Sequence, residues 1–337
     1  MSELLEVKNL SVSFNTAHGQ LQAVRDVTFS LKKGEVLAIV GESGCGKSVL
    51  CKSIMKLLPD YAHISSGTIS VDGTDITDYS QRDMKKLRGK VFSMIFQNSA
   101  TSLNPTVRIG RQIAEAVRIH SSKMSADSVK KRVVELMRTV GIDYPEQRYM
   151  QYPHQLSVGM RQRCVLAIAL ASEPMILFAD EPTASLDVTV SARILELIKN
   201  IVKTSATSMV LVTHDLGVVA GMADRVAVMY AGKIVEIGTA DEIFYDPRHP
   251  YTWALMRSLP YYAQRGKELY TLPGIPPTLT EIPAGDAFAC RNEYALEIDY
   301  KEMPPMFCVS DTHYAATWLL DDRAPEVTPP IGGGIRE

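Results

Sequence analysis

Up to about position 259, apolar residues come in short dense runs separated by longer stretches of mixed character. VLAIV at 36–40, MILFAD at 175–180 and SMVLVTHD at 208–215 are rich in branched side chains and bounded by polar turns. That is the pattern of buried strands in a largely parallel sheet. The opening MSELLEVKNLSVSF alternates apolar and polar positions, which also predicts a strand. Between these runs, 47–58, 161–172 and 188–203 read as helices, and 127–140 carries a further helical pattern. Strands interleaved with helices predict an α/β layered domain.

The pattern changes at LPGIPPTLTEIP, 272–283, where prolines remove backbone donors and resist regular structure. A first domain over 1–265 and a carboxy-terminal appendage over 266–337 are expected. The appendage is small for a core of its own and is expected to lean on the main domain, and the final PPIGGGIRE is expected to be a loose tail. The chain is long enough, at 337 residues, for one large domain and a smaller one. A net charge of -2 supplies no global basic field for nucleic acid. Five cysteines without tight pairing fit reduced thiols. The amino terminus lacks a secretion pattern and the apolar runs, such as 164–171, are too short to cross a bilayer, which predicts a chain kept in the cytosol.

Directly after VLAIV comes GESGCGKS, matching G-x-x-x-x-G-K-[ST] throughout. Gly41, Gly44 and Gly46 let successive backbone N–H groups curl around phosphate oxygens. Lys47 adds a point charge for the outer phosphates, and the Ser48 hydroxyl suits Mg²⁺. The helix beginning there turns its amino-terminal dipole to the anion. Glu42, Ser43, Cys45 and Val49 belong to the same cradle, and the Cys45 side chain is expected to point outward as a spacer. A nucleotide with Mg²⁺ is the expected ligand.

MILFADEP ends a buried strand on two carboxylates. Asp180 is expected to hold a water of the Mg²⁺ shell, and Glu181, one residue later, to polarise an attacking water. SMVLVTHD brings His214 to a matching strand end as a contact for the terminal phosphate. Gln97, after VFSMIF, is a neutral donor and acceptor suited to sensing Mg²⁺ or the attacking water. LSVGMRQR at 156–163 is a helix start with Ser157 as its cap.

In this order, GESGCGKS, Gln97, LSVGMRQR, LFADEPTASLD and VTHD resemble the nucleotide-binding subunits of ABC transporters, with LSVGM where the family carries an LSGGQ-like signature. SLNP after Gln97, DLGVVAGMADRVAVMYAGKIVEIG, FYDPRHPYTWALMRSLP and LPGIPP are similar to the oligopeptide and dipeptide permease ATPases. The resemblance implies a P-loop NTPase fold of ABC type: a mainly parallel sheet, an antiparallel β subdomain, a helical subdomain over about 98–172 and a small appendage. It implies ATP and Mg²⁺ as cofactors, with Ser48, Gln97 and Asp180 at the metal. It also implies Lys47, Gln97, Glu181 and His214 in catalysis, with Glu181 as the base and His214 as the switch.

On the same resemblance, Asp187 is the D-loop residue, and Ser157 and Gly159 reach the ATP held by a second subunit. Phe14 either stacks on adenine or joins the core. The implied partners are a homologous second ATPase, two transmembrane permease subunits and an extracellular substrate-binding protein, with this chain peripheral on the cytoplasmic face of the membrane. Val158 replaces a more permissive glycine. A left-handed backbone there would cost about 1–2 kcal/mol, a penalty that a helix-compatible backbone avoids, and a modestly weakened partner site is expected.

Many relatives carry four cysteines after the proline-rich run, resembling an iron–sulfur ligand set. Here those positions read Asp286, Asn292, Asp299 and Thr317, with Cys290 and Cys308 out of register, so no cluster is expected. Import of nickel or another small solute is a near alternative for the cargo. A soluble ABC-type ATPase is more remote, because the chain has one phosphate loop and no long heptad run. A P-loop kinase leaves the signature unexplained.

Overall fold

The computed structural model describes residues 3–17, 19–97, 102–120, 123–184, 186–259 and 270–331. The expected domain boundary at 265/266, the start of the helical subdomain at 98 and most of the expected tail lie outside these residues. The strands, in chain order, are β1 (Glu3–Thr16), β2 (Gly19–Lys32), β3 (Val36–Val40), β4 (Ala62–Val71), β5 (Thr74–Asp75), β6 (Phe92–Ile95), β7 (Ile176–Asp180), β8 (Ser208–Thr213), β9 (Arg225–Tyr230), β10 (Lys233–Thr239), β11 (Phe307–Cys308) and β12 (Tyr314–Ala315).

Two compact units divide the chain. One comprises Lys32–Glu35 and Asp78–Val212. In it β6 runs parallel to β7, and β7 to β8. Every residue of β7 and β8 is buried, as their unbroken apolar runs require. The helix Ala126–Thr139 buries Val129, Val133, Leu136 and Met137 at helical spacing, and its amino terminus is capped by Ser125, whose hydroxyl accepts the Ser128 N–H at 3.2 Å.

The other unit comprises Glu3–Leu31, Val36–Thr77 and Thr213–Glu337. Four strands form an antiparallel sheet in the order β2-β1-β4-β5, while β11, β12, β10, β9 and β3 lie side by side. Within the second group β3 and β9 are parallel. The carboxy-terminal stretch contributes β12, which pairs antiparallel with β10, and Phe288, Ala287 and Ile331, which pack with Tyr230, Tyr251 and Trp253 in one core cluster.

The helix expected over 47–58 is shorter, Lys47–Ile54. Leu57 N–H returns to Lys52 C=O at 2.8 Å and Lys56 N–H to Ser53 C=O at 3.0 Å, while Lys56 takes a left-handed backbone of φ 50°. This is a Schellman ending with a lysine where glycine is usual. The other helices come close to expectation, as Val158–Leu170, Val188–Ser205 and Ala126–Thr139.

Asp286 sits in the second unit, 6% exposed, with its Oδ1 accepting the Phe288 N–H at 3.0 Å. Burial raises its pKa to about 6; the Phe288 amide opposes that shift and Asp299 adds to it. The folded chain therefore holds a proton that the unfolded chain releases near pH 4, and this contribution is lost as pH rises through 6. Asp286→Asn keeps the accepting oxygen and removes the charge. Thermal unfolding should show the variant more stable than the parent by roughly 2–3 kcal/mol at pH 8 and no more stable at pH 4.

Candidate functional site

The phosphate loop follows β3 and leads into the helix Lys47–Ile54. Gly41 (φ 150°) and Gly46 (φ 106°) take backbones that L side chains rarely adopt. A Cβ at Gly41 would lie 2.1 Å from the Met229 carbonyl oxygen, and one at Gly46 would lie 2.2 Å from that of Ala23. Gly46, the residue at the helix N-cap, makes no side-chain capping bond, and a helix amino terminus favours an anion. Lys47 is buried, and its Nζ donates to the carbonyls of Gly41 and Glu42, each at 2.8 Å. Glycine cradle, uncapped helix start and buried ammonium together fit a phosphate chain.

Cys45 corrects an expectation. Its side chain turns inward, 6% exposed, with Sγ 3.7 Å from Lys47 Nζ. The inward direction follows from the loop, since the bare α-carbon of Gly41 leaves the space that the sulfur fills. Burial pushes the thiol pKa up, against the pull of Lys47. Ser43 and Gly44 are exposed, while Ser48 and Val49 are half-buried.

Glu42 is held from three directions within its unit. Its N–H donates to Tyr251 Oη at 2.9 Å and its carbonyl accepts from Lys47. Its carboxylate takes a two-pronged bond from Arg291, at 2.7 and 2.9 Å. Sequence reasoning missed Arg291, Tyr251 and Tyr230. Arg291 lies 249 positions from Glu42, and no local pattern pairs residues at that distance.

Phe14 is half-buried on β1 and packs at a tilt on Tyr61, ring centroids 5.9 Å apart. Tyr61 is an exposed aromatic that the sequence analysis did not single out. His214 is exposed just beyond β8, ahead of the helix Leu216–Met222, whose first turn is capped by Asp215.

In the other unit, Asp180 is 2% exposed at the end of β7. The chain then turns sharply: Glu181 has φ 46° and donates its N–H to Val212 C=O at 2.8 Å. This left-handed backbone carries the side chain away from the strand direction of Asp180. Gln97 Nε2 donates to Glu181 Oε2 at 2.7 Å, which brings together two residues separated by 84 positions.

The signature helix begins as expected. Ser157 Oγ accepts the Met160 N–H at 3.2 Å. Val158 is the first helical residue, 40% exposed and absent from the positive-φ residues, so the cost of a left-handed valine does not arise. A Cβ on Gly159 would approach Val190 Cγ1 to 2.9 Å. Val190 belongs to the helix Val188–Ser205, which is capped by Asp187 through its Oδ1, 3.0 Å from the Val190 N–H. Gln162, also missed from sequence, is buried and donates to Pro182 C=O at 2.6 Å, tying the signature helix to the turn after Glu181.

The family model described as ABC transporter matches residues 24–184, and the one described as oligopeptide/dipeptide transporter, C-terminal region, matches residues 235–298. The oligopeptide transport ATP-binding protein OppD of Bacillus subtilis is 56% identical over 98% of this chain and 92% of its own length. The chain belongs to the ABC transporter ATP-binding subunits. The dipeptide transport ATP-binding protein DppD of Lactococcus lactis is 53% identical to this ABC subunit over 97% of its chain and 94% of the relative. Among solved structures, a dimeric bacterial ABC transporter cassette superposes with TM-score 0.63 at 26% identity, covering 70% of the subunit and 99% of the cassette. A Clostridium perfringens component of an ABC transporter complex gives TM-score 0.62 at 30% identity, covering 72% and 91%. The subunit has the P-loop NTPase fold of ABC type and binds nucleotide.

The four carboxy-terminal positions compared above with an iron–sulfur ligand set make local turns in the ABC subunit. Asp286, Asn292, Asp299 and Thr317 use side-chain oxygens to accept the N–H groups of Phe288, Tyr294, Leu296 and Leu319. Carboxylates, an amide and a hydroxyl do not fit a cluster that requires thiolates.

Gly159→Ala should destabilise the subunit by about 1–3 kcal/mol through overpacking against Val190, read as a lowered Tm. Combining it with Val190→Ala should return most of the loss, and an equal Tm for the single and double variants would show that this contact is not the cause.

Proposed function

We propose that the chain is the ATP-hydrolysing subunit powering import of oligopeptides or dipeptides through an ABC transporter. The observation that carries this is the Gln97–Glu181 hydrogen bond at 2.7 Å, which fixes a carboxylate on a left-handed turn directly after a buried strand-end aspartate. Hydrolysis of a phosphoanhydride needs a positioned acceptor for the proton of the attacking water, and a carboxylate oriented by a neutral amide supplies one. Glu181 takes that role, with Gln97 orienting it.

Lys47 and the loop amides of Gly41 to Val49 bind the phosphates, His214 contacts the terminal one, and Phe14 takes adenine on its face. Ser48, Asp180 and Gln97 are the residues that would hold Mg²⁺, and the ion would offset charge on the phosphate oxygens. Ser157, Gly159 and Asp187 serve the ATP of a second, homologous ATPase in a heterodimer. The first domain spans 1–265, with a helical subdomain over about 98–172, and the appendage spans 266–337. No described helix is long and apolar enough to cross a membrane. The subunit works at the cytoplasmic face through two transmembrane permease subunits, with an extracellular binding protein delivering the peptide. Names of relatives such as OppD and DppD support the peptide cargo.

Glu181→Gln, assayed in the reconstituted transporter, should retain ATP binding and lose about a hundredfold or more of the turnover at the site it serves. Turnover at the parental rate in that variant would refute the base assignment.

A further inference from the structure

The geometry points to Arg291, in the carboxy-terminal region, as a positioning residue that holds the phosphate loop in its nucleotide-receiving form through Glu42. The inference rests on reading that loop as the nucleotide site. It adds that the region after the proline-rich run, which carries no cradle residue, sets how tightly the nucleotide is held.

Arg291 is 7% exposed and each of the three nitrogens of its guanidinium donates a hydrogen bond. Its two terminal nitrogens grip the Glu42 carboxylate at 2.7 and 2.9 Å, one of them also reaching Tyr230 Oη at 3.2 Å, and Nε donates to the carbonyl of Pro273 at 2.8 Å. A planar fork on a carboxylate fixes orientation as well as distance. Burial disfavours the cation, but bonds to Glu42 and Tyr230 outweigh it and raise the guanidinium pKa above its ordinary value.

Glu42 passes this restraint to the loop by its own backbone. The same residue that takes Arg291 on its carboxylate gives its N–H to Tyr251 and its carbonyl to Lys47 Nζ, at 2.9 and 2.8 Å. Tyr251 and Tyr230 pack at a tilt with ring centroids 4.6 Å apart, and both meet Phe288 edge-on, so the anchors are themselves packed. A second link runs from the proline-rich run, whose Leu279 carbonyl accepts the Gln22 N–H at 3.0 Å. Pro276, Pro277 and Thr278 line a cavity of about 490 Å³ together with Glu42, Ser43 and Gly44. The carboxy-terminal region thus flanks the loop on a face that the cradle glycines leave open.

A loop released from Arg291 samples more backbone conformations, and binding nucleotide must then restore order. The loss falls on affinity. The test titrates a fluorescent ATP analogue with Mg²⁺ into the purified full chain, with Tm and circular dichroism in parallel. Arg291→Ala and Glu42→Gln should each weaken binding by about tenfold, and the double variant no further, with Arg291→Lys in between. Unchanged affinity in both single variants, whatever happens to Tm, overturns the inference and leaves a structural ion pair. If Arg291→Ala does not fold, Arg291→Lys and Glu42→Gln decide between the same outcomes. Lys47→Ala serves as the control: a parent chain that binds no better than this variant would sink the nucleotide site itself rather than the role of Arg291.

Discussion

The phosphate loop depends on two of its three glycines. At Gly41 and Gly46 the backbone takes angles closed to other residues, and the carbonyls of Met229 and Ala23 stand where a Cβ would go. Those carbonyls belong to β9 and β2, so the loop is seated directly on strand backbones. Around that close approach lie the start of the helix at Lys47, the buried ammonium of Lys47 and the three-sided hold on Glu42.

In the unit of β6, β7 and β8 the organising device is a sharp turn. Strand β7 carries Asp180 to its buried end, and the left-handed backbone of Glu181 redirects the next carboxylate toward Gln97. Pro182, one step further, receives Gln162 from the signature helix. Three motifs that look independent along the chain are linked here by two side-chain amides. Such links are well suited to reporting a change at one motif to another, because each is a directional bond between rigid elements.

Much of this was legible in the sequence, and the exceptions have physical reasons. Strands β3, β7 and β8 were visible because burial on both faces leaves unbroken apolar runs. The Ser157 cap was visible because a hydroxyl before a helix is a local signal. The end of the helix Lys47–Ile54 was not, because its left-handed terminus falls on Lys56 rather than on a glycine. The inward turn of Cys45 depends on space left by Gly41, which spacing alone does not reveal. Arg291 was invisible for the strongest reason, since its partner lies 249 residues earlier and neither residue is unusual locally.

Cys45 has a consequence beyond packing. Of the five free cysteines, Cys45, Cys51 and Cys164 are buried while Cys290 and Cys308 are exposed. The thiol nearest the phosphate loop is shielded by burial and kept protonated by it, conditions under which sulfur reacts slowly with peroxide or disulfides. Oxidants meet the chain first at the exposed Cys290 and Cys308, in the carboxy-terminal region, rather than at the cysteine inside the phosphate loop.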